Sequence, residues 1–238
     1  MTTTDAISDI AATPLELVVF DMAGTTVQDD GVVEQAFERA AQRTGVAERM
    51  QWSEALGYVR DTMGQSKIDV FTHLSGGDAE LAQRATAAFE GAYAEIVEES
   101  GALAIDGAAE LLGELRERGL KVALTTGFAP VTRDAILDSL GWRSLVDVAL
   151  SPVDAGRGRP APDLVLTALL RTGASCVQAV AVLGDTESDV LSGRRAGAGL
   201  VAGVLSGAHD RATLEAAGAD YVLDTVTGLR DLPPFRAL

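Results

Sequence analysis

Cysteine is nearly missing from this 238-residue chain. Cys176 stands alone, so no intramolecular disulfide and no cysteine metal cluster can form. Histidine is almost as scarce: only His73 and His209 occur, isolated from one another. Aromatic residues make up 5%, and the spacing of Trp52 and Trp142 offers no stacking platform for nucleic-acid bases. Cations are outnumbered, with 19 Lys and Arg against 35 Asp and Glu, for a formal net charge of −16. Such a field repels nucleic-acid phosphates and anionic membranes, so neither is an expected partner. No run approaches the roughly 18 apolar residues of a membrane span. Residues 1–14 lack the basic and apolar segments of a signal peptide, and a cytoplasmic location is expected. What is plentiful is hydrophobic side chain, at 47%, enough for a sizeable core. An anionic small molecule remains admissible as substrate if a local cation, a metal or a helix N-terminus captures it.

The first strong pattern is Leu15-Glu16-Leu17-Val18-Val19-Phe20-Asp21. It is short and apolar with a carboxylate at its end, as in a buried parallel strand whose carboxyl end faces a site. Further strands are predicted at 121–125, 146–150, 179–183, 199–204 and 221–223. Helical periodicity fills the intervals at 107–118, 131–140, 163–170 and 186–196. This alternation predicts an α/β fold: a Rossmann-like, doubly wound parallel sheet with helices on both faces. One block departs from it. Between residues 32 and 104 no strand pattern occurs, and 33–43, 52–59, 67–74 and 79–99 all read as helices. The domain reading is therefore 1–29 and 105–238 for the sheet core and 30–104 for a helical insertion. By position the insertion is either a cover for a site after the first strand or a second packed lobe.

Ligands of open α/β sheets bind outside the carboxyl ends of the strands, so polar residues there deserve inspection. Strand one ends in Asp21, followed by Met22-Ala23-Gly24-Thr25-Thr26. Strand two ends in Thr125-Thr126-Gly127, and the loop after strand three holds Arg157, Gly158, Arg159 and Pro160. Strand four ends in Gly184-Asp185-Thr186-Glu187-Ser188-Asp189. Carboxylates with a backbone carbonyl and room for water suit Mg²⁺. Thr126 and backbone amides can hold phosphoryl oxygens, and Arg159 can offset the charge of nucleophile and phosphoryl group. Taken singly, each residue has an ordinary reading: Asp21 as a turn former, Asp185 and Asp189 as helix N-terminal acids, Arg159 as a solvated loop residue. The ordered set, one group per strand end, is what chance does not supply.

That set resembles the haloacid-dehalogenase superfamily of phosphoryl-transfer hydrolases, with its four motifs spread from about Leu15 to Gly203. The resemblance implies that Asp21 is a nucleophile forming an aspartyl-phosphate. It implies that Mg²⁺ is held by Asp21, the Ala23 carbonyl and Asp185, with Asp189 orienting the metal shell. It also implies that the helical insertion is a cap domain, and it is the sole ground for a homodimer through the caps. Gly24 and Thr25 are expected, with Met63 and Gly127, on the substrate.

Phosphatases of this superfamily usually carry a second Asp two residues after the nucleophile, as acid for the leaving alkoxide. Here Ala23 stands there and can do neither acid nor base work. The subgroup with Ala at this position resembles phosphonoacetaldehyde hydrolase, in which a cap lysine forms a Schiff base with the substrate aldehyde. The matching segment is Met63-Gly64-Gln65-Ser66-Lys67-Ile68-Asp69, so the resemblance places Lys67 on the imine position. The chemistry is coherent: breaking a carbon–phosphorus bond leaves an electron pair on carbon, which a protonated imine accepts. A lone helical lysine otherwise reads as a surface charge. Where that subgroup has a His three residues after the lysine and an aromatic hydroxyl after the second-motif glycine, this chain has Val70 and Phe128. The expected reaction is Mg²⁺-dependent hydrolysis of phosphonoacetaldehyde to acetaldehyde and phosphate, with Asp21, Lys67, Thr126 and Arg159 as catalytic residues. The competing expectations are a phosphatase or phosphomutase of the same superfamily and a silent phospho-ligand-binding relative.

Overall fold

The computed structural model describes residues 13–49 and 51–236. Six strands form one sheet in the order β3-β2-β1-β4-β5-β6, with every neighbouring pair parallel. They are β1 (Leu17–Asp21), β2 (Lys121–Thr125), β3 (Val148–Leu150), β4 (Val180–Gly184), β5 (Leu200–Val204) and β6 (Tyr221–Leu223). All six predicted strands are present; β1 and β3 each begin two residues later than expected, at Leu17 and Val148. All of β1 is buried, because it lies mid-sheet with helices above and below. Its side chains alternate between the two faces, as a strand requires. Val18 and Phe20 join the core that includes Leu111, Leu112 and Leu115, while Leu17 and Val19 join that of Leu164, Val165 and Ala168.

Between β1 and β2 run α1 (Val32–Thr44), α2 (Trp52–Asp61), α3 (Lys67–Leu74), α4 (Ala79–Ser100) and α5 (Ala108–Glu117). The first four are the helical insertion, and α5 packs on the sheet. Helix α1 buries Val33, Ala36, Phe37, Ala40 and Ala41, one apolar stripe of helical period. That stripe meets α4, where Phe89 lies 4.7 Å from Phe37 between ring centroids, and α3, whose Phe71 lies 5.0 Å from Phe37. The two chain crossings between insertion and sheet are paired. Gln28 N–H donates to the Leu103 carbonyl at 2.8 Å, and Ile105 N–H donates to that of Thr26 at 2.9 Å.

The remaining helices are α6 (Pro130–Leu140), α7 (Pro152–Ala155), α8 (Asp163–Thr172), α9 (Glu187–Ala196), α10 (Arg211–Ala216) and α11 (Pro233–Arg236). Residue 186 was expected inside the helix after β4. It instead caps α9: the Thr186 hydroxyl accepts the Asp189 N–H, and the Asp189 carboxylate accepts the Thr186 N–H. Cys176 is half-buried. His73 stacks on Tyr58 with centroids 3.8 Å apart, and His209 Nδ1 accepts the Glu187 N–H at 2.9 Å, so both are structural. No helix of the described residues is long and apolar enough to cross a membrane.

Candidate active site

The strand order reverses between β1 and β4, and the crevice at such a reversal is where open α/β sheets bind ligands. Asp21 ends β1 there, level with Thr125 of β2. Its backbone is fixed by the turn that follows: the Met22 carbonyl accepts the N–H groups of Thr25, Thr26 and Val27, and the Thr26 hydroxyl donates to the Asp21 carbonyl at 2.9 Å. Asp185 follows β4. Its Oδ1 accepts from the Thr25 hydroxyl at 3.0 Å and its Oδ2 from the Ala208 N–H at 2.8 Å. Gly24 lets this happen. Its φ is +80°, and a Cβ would stand 2.5 Å from the Asp185 carboxylate.

Asp21, Asp185 and Asp189 bring one carboxylate oxygen each within 4.8 Å of one another, all buried. Arg159 Nη1 pairs with Asp21 Oδ1 at 2.6 Å and also with Asp189. Its Nε has no hydrogen-bond partner among the described residues. Three buried carboxylates against one permanent cation leave negative charge that water cannot solvate. The effect is visible on Asp185, whose carboxyl is pushed up to about 7 by burial and by the nearby Asp21. This donor set fits a divalent, oxygen-preferring cation.

Lys67 opens α3 and reaches the same cavity from the opposite side. It is buried, and its Nζ lies 5.4, 5.4 and 5.3 Å from the ring centroids of Phe37, Phe89 and Phe128. Burial, and then the Arg159 guanidinium, pull its ammonium down to about 8. Val70 and Phe128 are both buried, and Phe128 serves as one wall of the lysine box. The cavity is walled by Asp21, Ala23, Met63, Gly64, Lys67, Thr126, Gly127, Arg159 and Asp185, among others. Thr126 Oγ1 accepts the Phe128 N–H at 3.2 Å, and its own proton has no acceptor among the described residues.

Two of the residues expected on the substrate are elsewhere. Gly24 and Thr25 are absent from the cavity wall: one packs against Asp185 and the other donates to it, so both shape the carboxylate cluster. Asp189 is likewise off the wall, held by Arg159 and the start of α9. Arg157 is exposed and paired with Asp163. Asp29, on the wall, and Glu90, buried beside the box, were not foreseen. Asp29 reads as a turn in Gln28-Asp29-Asp30-Gly31. Glu90 did carry a signal, an acid on the apolar face of α4.

Residues 15–197 match the family model for haloacid dehalogenase-like hydrolases. This chain belongs to that family. It is 30% identical to the phosphonoacetaldehyde hydrolase of Bordetella pertussis over 262 aligned positions, covering 94% of this chain and 91% of the relative. It is 26% identical to the validoxylamine A 7'-phosphate phosphatase of Streptomyces hygroscopicus subsp. limoneus, covering 90% and 96%. Among solved structures, a hydrolase from Pseudomonas syringae superposes with a TM-score of 0.79 at 27% identity, covering 91% of this chain and 96% of that one. In this family's terms, the six-stranded parallel sheet is the hydrolase core, and the helices after β1 are its inserted block.

Proposed function

We propose that this hydrolase cleaves the carbon–phosphorus bond of a phosphonate that bears an aldehyde, most simply phosphonoacetaldehyde. The observation that carries the reading is the lysine box: a buried amine of lowered basicity sharing one cavity with Asp21, in a chain whose residue 23 cannot act as an acid. About a tenth of Lys67 is unprotonated at pH 7, and that amine can attack an aldehyde carbon. The protonated imine that results accepts the electron pair of the carbon–phosphorus bond and becomes an enamine. Asp21 takes the phosphoryl group, Arg159 holds the charge on its carboxylate side, and Thr126 offers its hydroxyl proton to a phosphoryl oxygen. Water then hydrolyses the aspartyl-phosphate, and the enamine takes a proton on carbon to return to the imine, which a second water hydrolyses to acetaldehyde and free Lys67. Mg²⁺ held by Asp21, the Ala23 carbonyl and Asp185 would neutralise the phosphoryl oxygens, with Asp189 positioning Arg159. Residues 30–104 act as a cap that closes over the core and carries Lys67 to Asp21, excluding bulk water.

Likeness to validoxylamine A 7'-phosphate phosphatase favours a second reading, hydrolysis of a phosphate ester, in which Lys67 would serve as a cation only. One experiment separates the two. The chain is incubated with Mg²⁺, phosphonoacetaldehyde and borohydride, digested and mass-analysed, with phosphate release followed in parallel. A reduced two-carbon adduct on Lys67 with phosphate release is the expected result. No adduct and no phosphate from phosphonoacetaldehyde, with phosphate released from a phosphate monoester in a parallel assay, would replace it by the second reading.

A further inference from the structure

Imine formation needs a proton donor as well as an amine, because the aldehyde oxygen must leave as water. Four charged groups surround Lys67: Arg159, Glu90, Asp29 and Asp21. Arg159 does not give up a proton. Asp21 is paired with Arg159 and faces phosphorus in the reaction proposed above. Glu90 is occupied at both oxygens, Oε1 by the Ala129 N–H at 2.9 Å and Oε2 by the Thr132 hydroxyl, at the start of α6. Asp29 differs from all three. It lies on the cavity wall with Lys67. Its Oδ1 accepts the Val33 N–H at 3.0 Å in the first turn of α1, and Oδ2 has no hydrogen-bond or ion-pair partner among the described residues. Its main chain is held by the paired crossing at Gln28.

The geometry points to Asp29 as the proton donor for imine formation at Lys67. The assignment rests on the Schiff-base reading above. The Lys67 amine bonds to the aldehyde carbon with its lone pair, and the carbonyl π pair moves to oxygen. The carbon–oxygen bond then breaks with its electron pair while nitrogen forms the double bond. Of the two amine protons, one stays on the protonated imine and the other moves to oxygen. The second proton of the departing water comes from the Asp29 carboxyl, which ends as a carboxylate facing the imine cation. Desolvation raises Asp29's affinity for that proton, against the Val33 N–H and Lys67; Glu34 and Asp21 also face it and act in the same direction as desolvation.

A purely structural role for Asp29, accepting the Val33 N–H at the start of α1, parts from proton donation on substitution. Asp29→Asn keeps an acceptor for Val33 and loses the proton; Asp29→Ser is a second neutral acceptor. The full chain is labelled with acetaldehyde and borohydride, a probe that requires no phosphorus chemistry, and adduct on Lys67 is timed by mass spectrometry alongside Tm. Wild type should label, and Asn and Ser should label about 10²-fold more slowly at near-wild-type Tm, with partial recovery in Asp29→Glu. A field effect alone would have the opposite sign, because removing the charge of Asp29 makes Lys67 less basic and its amine more available. Asn or Ser labelling at or above the wild-type rate therefore overturns the assignment while leaving the Schiff base standing. Wild type that labels with neither acetaldehyde nor phosphonoacetaldehyde overturns both.

Discussion

Lys67 shows how a side chain's chemistry is set by what encloses it. Three ring faces and a guanidinium replace the water that an ammonium wants. Lys67→Arg keeps the charge and the ring contacts but cannot form an imine, so phosphate release from phosphonoacetaldehyde should fall at least about 10³-fold with Tm nearly unchanged. In the proposed reaction the amine, not the ammonium, attacks. Initial labelling of wild type by acetaldehyde should therefore rise with pH as the amine is freed toward about 8, and fall again where the Asp29 carboxyl has lost its proton. The linked stability has a definite sign. The folded value is depressed below 10.5, so the protonated lysine is penalised in the fold, and this group's cost grows as pH falls from 10.5 through about 8. At this level the sequence was readable where chemistry stands in register with strand ends: Asp21, Thr126, Arg159 and Asp185 all reach one cavity. Asp29 was not readable, since Asp-Asp-Gly is ordinary turn composition. Thr25 was misplaced because its hydroxyl serves Asp185 across the molecule, a contact 160 residues distant in sequence.

Where helices meet sheet, three glycines make the contact. An added Cβ at Gly127 would strike the Gln65 carbonyl oxygen; at Gly64 it would lie 2.5 Å from Thr186 Oγ1, and at Gly158 2.8 Å from Ser66 Cβ. The segment that carries Lys67 is thus seated with its main chain against Gly127, and with Gly64 and Ser66 close against Thr186 and Gly158. Gly127→Ala should hold it away from the core, lowering kcat/KM about 10²-fold, the scale expected when reacting groups are displaced by about 1 Å. Far-ultraviolet circular dichroism should be unchanged, and trapping of Lys67 should decline in parallel. Helices longer than two turns were readable from their apolar period, and α3 falls on the residues predicted, 67–74. The short α7, α10 and α11, at four, six and four residues, hold too few positions to show a period.

Across the whole molecule, the charge of −16 opposes the approach of the anionic substrate proposed above, while the cavity is lined with Lys67 and Arg159. Salt screens the long-range repulsion more than the enclosed attraction. Raising ionic strength from about 0.01 to 0.15 M should therefore increase kcat/KM severalfold, the reverse of what an electropositive enzyme shows. The carboxylate cluster adds a pH-dependent term. Asp185 is raised from 3.8 to about 7, so its contribution to apo stability is intact below 3.8 and is lost as pH climbs through 7. A divalent cation favours the ionised cluster, so the Tm increment from Mg²⁺ should grow between pH 5 and 8, to roughly 5–10 °C at a hundredfold excess over Kd. Differential scanning fluorimetry at several pH values measures it. The rhythm of strand and helix made the parallel sheet readable, but not the strand order, because pairing is decided by packing of whole layers.

The lysine box is assembled from two sources: Phe37 and Phe89 from the insertion, Phe128 and Arg159 from the core. Drawn apart, the two parts would return Lys67 to water and to full protonation at neutral pH. An amine that is reactive only when enclosed is a reagent with its own safety catch. Stray cellular aldehydes and sugars, which condense with free amines, would meet an inert ammonium on the open protein.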